Sequence, residues 1–241
     1  DEAYLTNVEK FFDIAVTRHA YITGGVSVME HFRKDNNQDG TRTQTNCESC
    51  CAHNMLKMAK ELYKVTGDKK YADYYETTLR NSIMGAVKSE SGAAAYFIPM
   101  ATGYFKTFGN EDPAKNMFWC RTGSGMENFT KLGDSIYFHA NDTLIVNQYV
   151  SSKVTWEEKN LVVTQKSDVT KSDKATFTVN AKDGSTIPSA ALALRVPDWM
   201  HGKAVVTVNG QEEKAAFSSG GYILLDREWK DGDVVTMEYP M

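Results

Sequence analysis

An α+β chain of two units, helical first and β-rich second, is predicted by three observations. Apolar residues recur at three- and four-residue steps as far as Phe138, and beyond Asn141 they give way to short β-rich runs punctuated by Asn209-Gly210, Asp183-Gly184 and Asp231-Gly232. No internal repeat or low-complexity tract blurs the change. The boundary is placed at Asp142-Thr143, giving a helical domain over residues 1–142 and an antiparallel β-sandwich over residues 143–241. With 241 residues, 41% of them hydrophobic and 24% charged, the chain has the composition of a globular protein with a substantial core.

Each element follows from its own pattern. Leu5, Val8, Phe12, Ala15 and Val16 give one buried helix face between Tyr4 and His19, broken by Gly24-Gly25. Residues 21–32 are a turn and a short apolar stretch carrying Glu30 and His31, and Arg33 to Thr45 is a polar loop with an Asp39-Gly40 turn. Met55, Leu56, Ala59, Leu62 and Tyr63 then mark a helix ended by Gly67. A second helix from about Lys70 to Met84 turns Tyr71, Tyr74, Tyr75, Leu79 and Ile83 inward, making a helical hairpin. Ala93 to Phe108, with Pro99 and Gly103, has no helical period and reads as an extended crossing that brings Tyr96, Tyr104 and Phe105 to one end of the helices. Asp112-Pro113 is a turn, and a glycine-bearing loop at Phe118–Gly125 precedes a helix with Met126, Phe129, Leu132 and Ile136 inward. Eight short strands from Leu144 to Tyr239 complete the sandwich.

Composition excludes some partners. The net charge of −4 and scattered Lys and Arg argue against nucleic acid. No apolar run approaches the ~20 residues that span a bilayer. Asp1 to Leu5 show neither a basic start nor an apolar core, so no signal peptide is visible, and the compartment stays open. The sequence opens almost directly inside a helix, as a piece of a longer protein would.

Three of the four cysteines, Cys47, Cys50 and Cys51, flank Glu48 at the mouth of a helix, and the fourth is Cys120. A thiol-rich turn and a distant thiol can fold into a zinc site or a reactive thiolate centre. Equally, Cys50 and Cys51 can be small buried apolar residues. Four cysteines in this length do not make a disulfide scaffold.

Five motifs in order, TGGVSVMEHF, ESCCAHNML with KYADYYETTLRN, AYFIPM, FWCRTGSGMEN and LGDSIYF, make the chain resemble glycoside hydrolase family 127 and its relative family 146 over essentially all of its residues. The resemblance implies a partial (α/α)6 barrel followed by the sandwich, and retaining hydrolysis of β-L-arabinofuranosides with an L-arabinofuranose-containing glycan as partner. It also implies roles for single residues. Glu30, in Gly-Gly-x-Ser-x-x-Glu-His-Phe, matches the family's general acid/base, and Glu48 and Cys50 match its zinc-binding Glu-x-Cys. Cys120 matches the cysteine that is both nucleophile and zinc ligand, and Tyr96 before Pro99 matches the active-site tyrosine. On the residues themselves, His31 is read as a packing or hydrogen-bonding neighbour at the substrate site, and Trp119 as stacking on a sugar or packing under its loop. Arg121 stands where the family has a further cysteine ligand. Zn2+ would then lean on Cys47 or Cys51 as substitutes, be held by three ligands and water, or be lost.

The chemistry suits these residue types. A retaining glycosidase needs one group to attack the anomeric carbon and another to protonate the leaving oxygen and later activate water. A zinc-bound sulfur is held as thiolate, and Glu30 as starting acid calls for partial burial or a nearby negative charge. Arg121 is read as pairing with substrate hydroxyls or with Glu127. Two other functions compete: a catalytically inactive carbohydrate-binding or structural fragment whose metal site Arg121 degrades, and a structural zinc module. A full barrel needs twelve helices and about four are present, so the missing barrel half, or a second copy in a homo-oligomer, is expected to cover the exposed helix faces.

Overall fold

A computed structural model describes residues 2–108, 120–214 and 220–241. It is an α+β protein of two compact units, Asp1–Leu132 and Gly133–Met241. The expected turn at Asp112-Pro113 lies outside the described residues. Among the described residues no helix is long and apolar enough to cross a membrane.

In the first unit, α1 spans Glu2–His19, α2 Ser49–Thr66, α3 Lys69–Thr78 and α4 Cys120–Thr130. Helix α2 ends because Gly67 takes a left-handed conformation (φ +67°) and returns its N–H to the Tyr63 carbonyl at 2.8 Å. Asp68 at once caps α3, its side chain accepting from the Lys70 N–H at 2.9 Å, so the two helices pack on each other across a two-residue link. The five apolar residues predicted to face inward from α3 onward are all buried. Past Thr78, however, the chain widens into a π-helical turn, Leu79–Ile83.

Helix α1 differs more from its pattern. Phe12 and Ala15 are buried, Phe12 edge-on to Tyr71 and Tyr74 with centroids 4.9 and 5.2 Å away. Val8, expected inward, is exposed along with Tyr4, Phe11 and Ile14, so α1 carries a second apolar stripe. Its periodicity describes two faces rather than one.

The second unit contains β1 Tyr137–Ala140, β2 Thr143–Val146, β3 Val150–Trp156, β4 Leu161–Asp168, β5 Lys174–Ala181, β6 Ala190–Arg195, β7 Val205–Val208, β8 Gln211–Glu212, β9 Tyr222–Arg227 and β10 Asp233–Glu238. They form a four-stranded sheet, β1-β2-β6-β9, and a six-stranded sheet, β3-β4-β5-β10-β7-β8. Pairing is antiparallel except between β2 and β6, where Thr143 to Val146 run parallel to Ala191 to Leu194. Strand β1 occupies residues predicted to close the last helix; that helix stops at Thr130, and β1 forms because Tyr137 to Ala140 pair with Thr143 to Val146. Tertiary pairing overrides a weak helical period here.

One apolar cluster joins the sheets, drawing Leu144, Val146, Leu192, Leu194, Ile223 and Leu225 from the smaller and Val163, Phe177, Val179, Val206, Val235 and Met237 from the larger. A buried polar network crosses it: Arg195 Nε donates to the Asn147 carbonyl at 2.7 Å, Tyr222 donates to Asn147 Oδ1 at 2.8 Å, and Tyr149 donates to the Arg195 carbonyl. These buried polar groups are paired with one another, as burial requires.

Phe177 on β5 is fully buried at the centre of this cluster. Phe177→Ala should lower unfolding stability by about 3–5 kcal/mol, read as a fall in the urea midpoint; an unchanged midpoint would contradict the packing described.

Candidate active site

Glu48 is the N-cap of α2. With extended dihedrals (φ −61°, ψ 132°), its Oε2 accepts the Cys51 N–H at 2.7 Å while its own N–H donates to Ser27 Oγ at 2.9 Å. A carboxylate here is favoured by the helix's unpaired N–H groups and dipole. Glu48 is buried, and among the described residues its second oxygen, Oε1, has no hydrogen-bond partner. That is a costly arrangement unless a cation or donor answers it.

Two sulfurs lie beside this carboxylate. The ligand atoms of Glu48, Cys50 and Cys120 are all within 4.8 Å of one another. Cys50 comes from the first turn of α2 and Cys120 from the first residue of α4, and a Cys50 Sγ to Ser124 Oγ contact of 3.1 Å ties the two helices. Burial pushes the Cys50 thiol well above its ordinary value, and the Glu48 carboxylate adds to the shift. One carboxylate and two sulfurs fit zinc, which takes three protein ligands plus an open position in catalytic sites. The orphaned Glu48 oxygen is the feature a cation would satisfy.

The other two cysteines do different things. Cys47 is buried with Ala86, Ala95 and Ile98, and its sulfur accepts from Thr23 Oγ1 at 3.6 Å. Burial lifts its thiol to about 11. Cys51, half-buried, is lifted to about 12 by burial and by Glu48. Neither belongs to the three-residue cluster. All four cysteines are free thiols.

Glu30 reaches the site from a tight turn. Val28 pairs with both His31 and Asn46, and Met29 and Glu30 both adopt left-handed backbone (φ +50° and +67°). Consecutive non-glycine residues there are strained and persist where the surroundings fix them. Glu30 is exposed, so of the two conditions its acid role calls for, partial burial or a nearby negative charge, the first is not met; its neighbour is a phenol. Tyr96 donates to Glu30 Oε1, and the Tyr96 hydroxyl oxygen lies 3.4 Å from Cys120 Sγ. Loss of hydration, with Cys120 and Glu30 adjacent, raises the Tyr96 hydroxyl above its usual value. Tyr96 is itself anchored where its carbonyl accepts the Ser49 N–H at 3.1 Å.

The remaining predicted residues are placed as follows. His31 is exposed and its Nδ1 contacts the Met29 carbonyl within its own turn. Trp119 lies outside the described residues. Tyr104 and Phe105 are exposed. Arg121 does not pair with Glu127: its Nη1 donates to the Ala94 carbonyl at 2.7 Å and its guanidinium lies 5.7 Å from the Tyr96 ring centroid. Glu127 instead contacts Lys131 and lies 3.0 Å from His53 Nε2. Sequence reasoning finds no partner for His53; the available signal is its position one turn beyond Cys50 and that of Glu127-Asn128 two turns beyond Cys120.

The Glu30 turn is held from behind. Tyr74 and Ser82 donate to the carbonyls of Gly24 and Thr23, each at 2.8 Å. Gly24 has φ +83°, and a Cβ there would fall 2.1 Å from Thr78 Oγ1.

The family described as the β-L-arabinofuranosidase GH127 catalytic domain matches residues 1–134, and the GH127 middle domain matches residues 143–241. A non-reducing end β-L-arabinofuranosidase from Bifidobacterium longum subsp. longum is 23% identical over 233 residues, covering 91% of this chain and 35% of that protein. A GH127 β-L-arabinofuranosidase structure from Geobacillus stearothermophilus T6 superposes with a TM-score of 0.80 at 22% identity, over 100% of this chain and 39% of that one. For the GH127 β-arabinofuranosidase BT3674 the values are 0.83, 24%, 100% and 40%. The chain thus spans about two fifths or less of the length of these relatives.

Gly24→Ala should cost at least about 1–2 kcal/mol from the left-handed backbone alone, with more from the Thr78 collision. Chemical denaturation of the variant showing wild-type stability would refute that account of the turn.

Proposed function

The chain belongs to the glycoside hydrolase 127 family of β-L-arabinofuranosidases, and from that premise we propose that it supplies the reacting groups of a retaining glycosidase acting on an L-arabinofuranose-containing glycan. The observation that carries the reading is the contact of one hydroxyl, Tyr96, with both Glu30 and Cys120 beside the Glu48–Cys50–Cys120 cluster. A nucleophile and an acid that share one neighbour are close together, as retention requires; carboxylate pairs of retaining enzymes stand roughly 5–5.5 Å apart.

Cys120 Sγ attacks the anomeric carbon as the glycosidic bond breaks, and Glu30, starting protonated, gives its proton to the departing oxygen. In the second half, Glu30 takes a proton from water, which displaces the sulfur from the same carbon and restores both groups. Tyr96 orients Glu30 by donating to its Oε1, and its hydroxyl oxygen lies 3.4 Å from Cys120 Sγ. Glu48, Cys50 and Cys120 would hold Zn2+, which when bound supplies the positive charge that keeps the sulfur a thiolate. Arg121, turned onto the Ala94 carbonyl and the Tyr96 ring, buttresses Tyr96 and would offer no ligand to a metal held there.

The rest of the barrel would come from residues beyond these 241 or from another copy. The exposed stripe of α1 and the exposed Met126 and Phe129 of α4 are apolar surface of the kind a further helix layer covers. The 241-residue chain alone should self-associate or pair with a co-expressed amino-terminal barrel segment; sedimentation showing a compact monomer at high concentration, indifferent to that segment, would count against it.

In a protein with the complete barrel, Glu30→Gln should reduce hydrolysis of a chromogenic β-L-arabinofuranoside by about 10²–10⁴-fold without loss of fold, and Cys120→Ser should abolish it. Chelation should remove activity and added zinc restore it. Full turnover by Cys120→Ser would end the thiolate reading; metal retained with no turnover in the wild type would favour a structural zinc module.

A further inference from the structure

Helix α4 carries Cys120 but is scarcely anchored by apolar burial. Its one buried residue is Asn128, whereas Met126 and Phe129 are 64% and 50% exposed. Among the described residues it is tied to the rest of the first unit by polar contacts, Ser124 to Cys50, Arg121 to the Ala94 carbonyl, Cys120 to Tyr96, and Glu127 and Asn128 to His53. The last pair is the most enclosed. His53 on α2 is 4% exposed, with Nδ1 2.7 Å from Asn128 Oδ1 and Nε2 3.0 Å from Glu127 Oε2. Both imidazole nitrogens are therefore spent on one helix.

The spacing turns this contact into a register device. Cys50 and His53 are three apart on α2, and Cys120, Ser124, Glu127 and Asn128 follow at steps of four, three and one on α4, so each set shares one helix face. The seam runs Cys50–Ser124 at one end and His53–Glu127/Asn128 at the other. A slip of α4 by one residue, about 1.5 Å, would break both His53 bonds and change the Cys50–Cys120 separation. We infer that His53 is a positioning residue: by gripping Glu127 and Asn128 it fixes α4 against α2 and so holds the Cys50 and Cys120 sulfurs together. This deepens the proposed function, because the sulfurs it aligns are the ones assigned there to zinc and to attack.

The test compares wild type with His53→Phe, His53→Gln and Asn128→Leu in the 241-residue chain, using two probes: cobalt(II), read by its thiolate charge-transfer band and by chelator competition, and phenylarsine oxide, which bridges two neighbouring thiols without any metal. Wild type should take the arsenical across Cys50 and Cys120, shown by peptide mapping. His53→Phe and Asn128→Leu should each lose about 10–100-fold in cobalt affinity, the usual cost of removing a residue that orients metal ligands, and bridge Cys50–Cys120 more slowly. The double variant should be no worse than His53→Phe alone, which already removes both contacts. His53→Gln, which keeps one amide bond to α4, should recover part of both signals. If His53→Phe fails to fold, Asn128→Leu probes the same seam from the other helix. Wild-type bridging lost in the variants supports the positioning role even if no cobalt binds, an outcome that sinks the zinc assignment alone. Variants with wild-type cobalt affinity and bridging rate, or a wild type that never bridges Cys50 to Cys120, overturn it.

Discussion

The acceptance of the Cys51 N–H by the Glu48 carboxylate is the interaction on which the helical unit's chemistry depends. It starts α2, so it sets where Cys50 and His53 point. It also fixes the carboxylate's second oxygen in a buried place beside two sulfurs. A helix cap is normally a stability device worth about 1 kcal/mol. Here the same carboxylate also presents an oxygen with no hydrogen-bond partner among the described residues, and the backbone around it is tied on both sides, to Ser27 through the Glu48 N–H and to Tyr96 through the Ser49 N–H. The loop bearing Glu30 and the crossing bearing Tyr96 are thereby referenced to one helix end.

The arrangement explains why glycines and small polar residues crowd the turn before Glu30. Cys47, itself in a left-handed conformation (φ +52°), packs so close that a Cβ on Gly25 would lie 2.5 Å from its Cβ. Thr23, Gly24 and Ser27 each offer a backbone or hydroxyl oxygen to a neighbour, Ser82, Tyr74 and Glu48 respectively. The turn is held by many directional bonds, which is what two consecutive strained residues at Met29 and Glu30 require.

Much of the fold is legible in the sequence because its elements announce themselves locally. Gly67 and Asp68 stop one helix and start the next, and alternation along residues 161–168 and 174–181 gives strands whose buried residues are the odd-numbered ones. The cysteine cluster is legible from motif order, since Glu48 and Cys50 share a turn and Cys120 recurs in its own motif. What is not legible depends on contacts far apart in sequence. β1 exists through its pairing with β2, His53 acquires meaning only when α4 lies over α2, and the direction of Arg121 is decided by the Ala94 carbonyl. The exposed face of α1 escapes for a related reason: periodicity reports apolar stripes but not what covers them.

The parallel pairing of β2 with β6 has a kinetic consequence. Thr143 lies opposite Ala191 with three whole strands, β3 to β5, between them. Because β3, β4 and β5 pair with their sequence neighbours, they can zip early at low entropic cost, whereas β2 must wait for that meander to deliver β6. The smaller sheet is thus assembled late, and until then β2 and its hairpin partner β1 offer an unsatisfied strand edge to whatever chain is nearby during synthesis.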